Sequence, residues 1–146
     1  MINRNLPYVF VTIQFACIVV LAATGPLVAG TDWGIMLEFA GIFLGVLAIY
    51  QMKVGNFNVI PVPKTEGIMV THGIYKYLRH PMYLAQLMVF APLISEHYSH
   101  FRLTVWIVLL MNLVFKLHFE ERLLKAHFEG YADYMKTTWR LVPFVY

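Results

Sequence analysis

Charged side chains are scarce in this sequence. Asp, Glu, Lys and Arg make up 13% of its 146 residues, about half the ~25% carried by a soluble domain. With 60% hydrophobic residues and a mean hydropathy of +0.64, the chain cannot cover itself in polar surface, which places it in lipid. Cysteine is nearly absent. The lone Cys17 excludes an intramolecular disulfide and, in an apolar run, reads as a small apolar side chain. The histidines are dispersed, no metal-ligand spacing occurs, and no metal is expected. A phosphate-cradling loop, a dinucleotide glycine fingerprint and a nucleophile elbow are all missing. Internal repeats and low-complexity tracts are missing too, and no nucleic-acid partner is expected. The first apolar run is too long for the core of a signal peptide.

What the chain does have is long apolar runs. A membrane span needs about 20 mostly apolar residues. The pattern predicts an all-α integral membrane protein, a single domain of about four spans at residues 6–29, 33–52, 81–95 and 101–119. Trp33 and Tyr50 stand at the two ends of the second span, where interfacial aromatics belong. Between the first two spans only Gly30-Thr31-Asp32 remains, which predicts a tight antiparallel hairpin. Residues 53–80 contain Gly55, Asn56, Asn58, Pro61, Pro63 and Gly67, a density that rules out a continuous helix. The fourth span meets neither proline nor glycine before Glu120-Glu121-Arg122-Leu123-Leu124-Lys125, so one long helix should leave the membrane there. An aromatic C-terminal segment, 120–146, completes the chain.

Four spans put both termini on one side. Arg4, Lys53, Lys64, Lys76, Arg79, Lys116, Arg122, Lys125, Lys136 and Arg140 fall on that side, and Arg102 falls on the other with Asp32 and Glu96. The excess of basic residues in cytoplasmic loops predicts cytoplasmic termini and a cytoplasmic long loop.

The densest polar cluster, Gly73 to Tyr83, lies on that same side. Proline pushes the residue before it out of the α region and suits a helix's first turn. His80 should therefore be extended and the third span should begin at Pro81, its free N–H groups beside Arg79 offering an anion site. The plainer reading has Arg79 and His80 snorkelling to lipid phosphates. For Glu120-Glu121, one reading pairs Lys116 with Glu120 and Glu121 with Lys125 at i,i+4 spacing. The other leaves one acid free for the hydroxyls or amine of a ligand. Tyr131, Tyr134, Trp139 and Arg140 form either an interfacial anchor or a lid. Gln14, Glu38, Gln86, Asn112 and His118 lie within spans and should face other helices; Glu38 reads as structural, and His118, near Glu121, could border a pocket.

In combination these elements resemble a known family. The order is Gly73-x-Tyr75-x-x-x-Arg79-His80-Pro81-x-Tyr83, then Glu120-Glu121-x-x-Leu124, Tyr131-x-x-Tyr134 and Arg140-Leu141-Val142-Pro143, with Pro61-x-Pro63 and Gly67 upstream. It resembles the isoprenylcysteine carboxyl methyltransferases and the related phospholipid methyltransferases over residues 56–143. Phe128-Glu129-Gly130-Tyr131 is compressed relative to the family's spacing.

The resemblance implies S-adenosylmethionine as cofactor, bound at the cytoplasmic ends of the last spans under the C-terminal segment. It implies catalytic roles for Arg79, His80 and Arg140. It implies cofactor contacts from Gly73, Tyr75, His80, Pro81, Tyr83, His118, Glu120 and Glu121. The acceptor would be lipophilic or small. Because no strong base other than His80 and His118 stands out, an already anionic acceptor of the prenylcysteine carboxylate type is favoured. Two other readings compete. One is a nicotinamide-dependent membrane reductase of the sterol reductase type, which is much longer. The other is a non-catalytic small membrane protein.

Overall fold

The computed structural model describes residues 5–52, 60–61 and 67–146. Five helices follow in order: α1 Leu6–Ala23, α2 Asp32–Met52, α3 Pro81–Glu96, α4 His100–His127 and α5 Tyr131–Thr137, with a 3-10 turn at Gly73–Lys76 ahead of α3. Among the described residues there is no strand, only a single parallel bridge between Leu78 and Trp139. The all-α expectation is met. The predicted loop residues Lys53, Gly55, Asn56, Asn58, Pro63 and Lys64, and also Arg4, lie outside the described residues.

Local chemistry sets the helix ends. Pro7 and Pro81 occupy first turns, where their missing N–H costs nothing. Ser99 caps α4 by accepting the Arg102 backbone N–H at 3.1 Å. Gly130, at φ +82°, supplies the left-handed residue through which the chain turns into α5. As expected, α4 runs unbroken past Glu120 and Glu121, ending at His127. His80 leaves the α region, yet its ψ of 56° falls short of the predicted extended conformation.

Two expectations about the first spans are corrected. Helix α1 stops at Ala23, not near residue 29, because Gly25-Pro26 breaks it. A tight α1–α2 hairpin does not form either. Helix α1 packs on α4 and α2 packs on α3. The connection between α1 and α2 is an eight-residue irregular segment, Thr24 to Thr31, long enough to let the two helices part.

Helices α1, α2 and α4 are long and apolar enough to cross a membrane. At 16 residues, α3 spans about 24 Å at 1.5 Å per residue, and it is the most enclosed helix of the bundle. The seam is a leucine row at i,i+4 spacing, Leu109, Leu113 and Leu117 of α4, closed by Leu21 and Cys17 of α1 and by Tyr83, Leu87 and Ile94 of α3. Large apolar side chains point outward instead, among them Phe39, Phe43 and Val46 of α2 and Phe115 of α4. A face of that kind fits a hydrocarbon surround.

Candidate functional site

Residues 77–80 run beside residues 138–141. The Trp139 N–H donates to the Tyr77 carbonyl at 3.0 Å. The Arg79 N–H donates to the Trp139 carbonyl at 2.9 Å, and the His80 N–H to the Arg140 carbonyl at 3.1 Å. The C-terminal segment is thereby fastened to the Arg79-His80-Pro81 element through its backbone.

Glu121 is the electrostatic hub beneath this strap, its side chain 4% exposed. Arg79 Nε donates to Oε1 at 2.7 Å and Arg140 Nε to Oε2 at 3.0 Å. His80 Nε2 lies 3.5 Å from Oε1. Burial alone would raise the Glu121 pKa, but the facing His80 and Arg79 outweigh it and hold the carboxyl at about 2. Arg79 also clasps the end of α5, with Nη1 donating to the Met135 carbonyl at 3.1 Å, the Thr138 hydroxyl at 3.0 Å and the Thr138 carbonyl. Tyr134 donates to the Tyr75 carbonyl at 2.5 Å, tying α5 to the 3-10 turn. Arg140 packs over the Tyr146 ring at 5.2 Å.

Glu120, the neighbouring acid, points elsewhere. It accepts from the Tyr83 hydroxyl at 2.7 Å and lies 3.7 Å from His80 Nδ1, with its side chain 26% exposed. The His80 ring stacks on Tyr83, with centroids 5.2 Å apart and planes 9° apart. His80 Nε2 is buried without a hydrogen-bond partner among the described residues. It faces the Glu121 carboxylate, whose Oε1 lies 3.5 Å away. Tyr75 reaches the Ala48 carbonyl at 3.3 Å, and burial followed by the nearby Glu120 charge keeps its hydroxyl protonated.

Helices α1 to α4 enclose a cavity of about 430 Å³ whose wall includes Tyr75, Arg79, His80, Pro81, Tyr83 and Glu120. These six of the expected site residues are brought together. The other four do not line this cavity. Gly73, at φ +60°, lies against the Gln51 side chain, which accepts the Ile74 N–H at 2.6 Å. Gly73 thus docks the motif onto the end of α2. His118 faces the tail, its Nδ1 2.7 Å from the Val114 carbonyl and its Nε2 3.1 Å from the Tyr146 hydroxyl. Glu121 and Arg140 form the frame behind His80.

The i,i+4 pairing of Glu121 with Lys125 is corrected. Glu121 bonds to Arg79 and Arg140 in place of Lys125, and Glu120 to Tyr83. Lys116 donates to Gln14 of α1 at 2.7 Å, and the Glu120 charge one turn away acts on it as well. Long-range partners with fixed geometry displace flexible surface pairs of small worth. Sequence reasoning misses Lys116 as a site residue. A signal for it exists, since Gln14 and Gln86 stand out as polar residues inside spans.

The sequence profile of the phospholipid methyltransferase family matches residues 31–130. The chain belongs to the phospholipid methyltransferase family. The match covers α2, the 3-10 turn, α3 and all of α4, and so includes every polar group on the cavity wall except Gln14. Membership in the phospholipid methyltransferase family assigns methyl transfer as the reaction class and an integral membrane setting. A comparison with curated proteins returned no match.

Proposed function

We propose that the protein is an S-adenosylmethionine-dependent membrane methyltransferase acting on a lipophilic acceptor, with its site and both termini on the cytoplasmic face. One observation carries this reading: the two adjacent acids are divided between two jobs. Glu121 is consumed by Arg79 and Arg140. Glu120 keeps a partly exposed carboxylate on the cavity, 3.7 Å from His80 Nδ1. The donor set fits the cofactor, whose cationic sulfonium and amine would be drawn to Glu120. His80 would donate or accept at a cofactor heteroatom, with Tyr83 fixing both by stacking and hydrogen bonding.

S-adenosylmethionine, when bound, supplies an electrophilic methyl: transfer breaks the sulfur–methyl bond, forms the acceptor–methyl bond and leaves the electron pair on sulfur. The chain's own contribution is alignment and exclusion of water by the surrounding apolar wall. Arg79 and Arg140 act on this reading as positioning residues, holding the C-terminal segment over the site through Glu121. An anionic acceptor of the prenylcysteine carboxylate type would need no general base, and an ammonium acceptor would first have to lose a proton.

Calorimetric titration of the purified protein with S-adenosylhomocysteine, the demethylated cofactor, tests the reading. Saturable binding that His80→Ala weakens is expected. No heat and no thermal stabilisation at millimolar ligand would sink it.

A further inference from the structure

The cavity does not end at the motif. Below Glu120 it runs between the helices, where Phe15 and Ile18 of α1 and Ile42 and Ile49 of α2 line it. Phe15, Ile42 and Ile49 are at the same time exposed on the outer surface, and α1 and α2 pack on other partners. The cavity therefore opens sideways through the α1–α2 seam, toward the hydrocarbon that those outward faces require.

A polar ladder is set into this otherwise apolar wall. Lys116 Nζ donates to Gln14 Oε1 at 2.7 Å, Gln14 Nε2 donates to Gln86 Oε1 at 2.7 Å, and Gln86 Nε2 donates to the Met82 carbonyl at 3.2 Å. The orientation is fixed at both ends, because an ammonium can only donate and a carbonyl can only accept. Each glutamine oxygen is thus turned toward a donor, and each amide nitrogen keeps one hydrogen beyond the bond it makes. What the ladder can still offer a cavity ligand is chiefly donor hydrogens beside a cation. Lys116 itself is 2% exposed and sits 5.2 Å from the Tyr83 ring centroid. An ionisable residue at such a place within a span marks a functional site more often than a structural one. Glu120 lies one turn further along α4, so the wall presents a carboxylate above and a cation below. That layout would hold a cationic group and an anionic group one helical turn apart.

We infer that the Lys116–Gln14–Gln86 ladder binds the anionic group, carboxylate or phosphate, of the methyl acceptor, an amphiphile whose apolar part leaves through the α1–α2 seam. The inference rests on the methyltransferase reading for the word acceptor, while the anion preference of the cavity stands on the ladder alone. Lys116 is a specificity-determining residue on this view, remote from the strap that holds the motif together.

The test uses the full chain in a nonionic maltoside, with thermal unfolding as readout and three probes of equal chain length: laurate, dodecyl phosphate and dodecanol. The native protein should bind at least one anionic probe about ten-fold or more tighter than dodecanol, a gap of about 1.4 kcal/mol, and the tighter of the two identifies the group. Lys116→Met should erase that preference. Ile42→Trp, at the mouth of the seam, should weaken all three probes alike. Equal affinity of the native protein for dodecanol and both anions overturns the inference with no variant needed, and so does an unchanged preference in Lys116→Met. Anion preference without S-adenosylhomocysteine binding supports the ladder and sinks the methyltransferase reading, so the two failures are told apart.

Discussion

At one end of the bundle, Arg79, Arg140 and His80 converge on Glu121, and Glu120 beside them faces a cavity. At the other end, three charged side chains are directed at backbone. Glu96 accepts the Gly30 N–H at 2.6 Å, the Thr31 N–H at 3.2 Å and the Thr31 hydroxyl. Glu38 accepts the Ala29 N–H at 2.8 Å, and Arg102 donates to the Leu93 carbonyl at 3.2 Å. Gly25 leaves room for the Arg102 guanidinium, since a Cβ there would collide with it. The far end uses charge to hold the Thr24–Thr31 connection against α3 and α4. The motif end uses one acid for the same kind of bracing and leaves the next acid open to a ligand. Buried charge thus serves bracing at both ends, and among the described residues only the motif end also turns a charge toward a cavity.

The largest effect should come from Glu121→Ala. It strands two arginines, one of them buried, and breaking a buried pair by removing one partner costs about 3–5 kcal/mol. Thermal unfolding in detergent should show a drop of many degrees, with methyl transfer lost because the tail no longer covers the site. A fully stable variant would show that the motif end is not braced by Glu121.

Acid should expose the same hub. The Glu121 carboxyl is held at about 2, below its ordinary 4.5. A carboxyl depressed on folding stabilises the protein fully above the ordinary value, and that stability is lost as pH falls toward the folded value. Unfolding temperature should thus decline between pH 4.5 and 2, and Glu121→Gln, already destabilised, should lack that component of the decline.

Glu120→Gln should separate binding from bracing. S-adenosylhomocysteine affinity is expected to fall about ten-fold, or 1.4 kcal/mol, while unliganded stability changes by about 1 kcal/mol because the amide oxygen still accepts from Tyr83. A stability loss as large as that of Glu121→Ala, with affinity preserved, would erase the division between the two acids.

The smallest effect should come from the far end. Glu96→Ala releases Gly30 and Thr31 and should lower the unfolding temperature slightly. Cofactor-product affinity should stay within about two-fold, as for distant independent sites. A loss comparable to that of Glu120→Gln would show that the two ends are coupled.

Much of the fold is legible in the order of residues alone. Pro81 announces the start of α3, and the lack of proline or glycine after Phe101 announces the uninterrupted α4. The motif itself is legible because His80, Pro81 and Tyr83 act within one helical turn. Less legible is everything that depends on which helix faces which. The predicted hairpin fails because loop length limits how far two helices can part without choosing their partners. Gly73 and His118 read as site residues by proximity in sequence, and the structure sets them against Gln51 and Tyr146. Lys116 looks like half of a surface pair and is the cation of the cavity wall.

The sequence by itself determined the membrane setting, the helical class and the family elements, because composition and local backbone chemistry act over a few residues. Only the tertiary structure decided which of Glu120 and Glu121 faces the cavity. Adjacent residues on a helix point about 100° apart at 3.6 residues per turn, so one of them must turn toward the strap when the other turns toward the cavity. The pairing of Gln14 with Lys116, which closes the ladder across 102 positions of sequence, likewise exists only because α1 packs on α4.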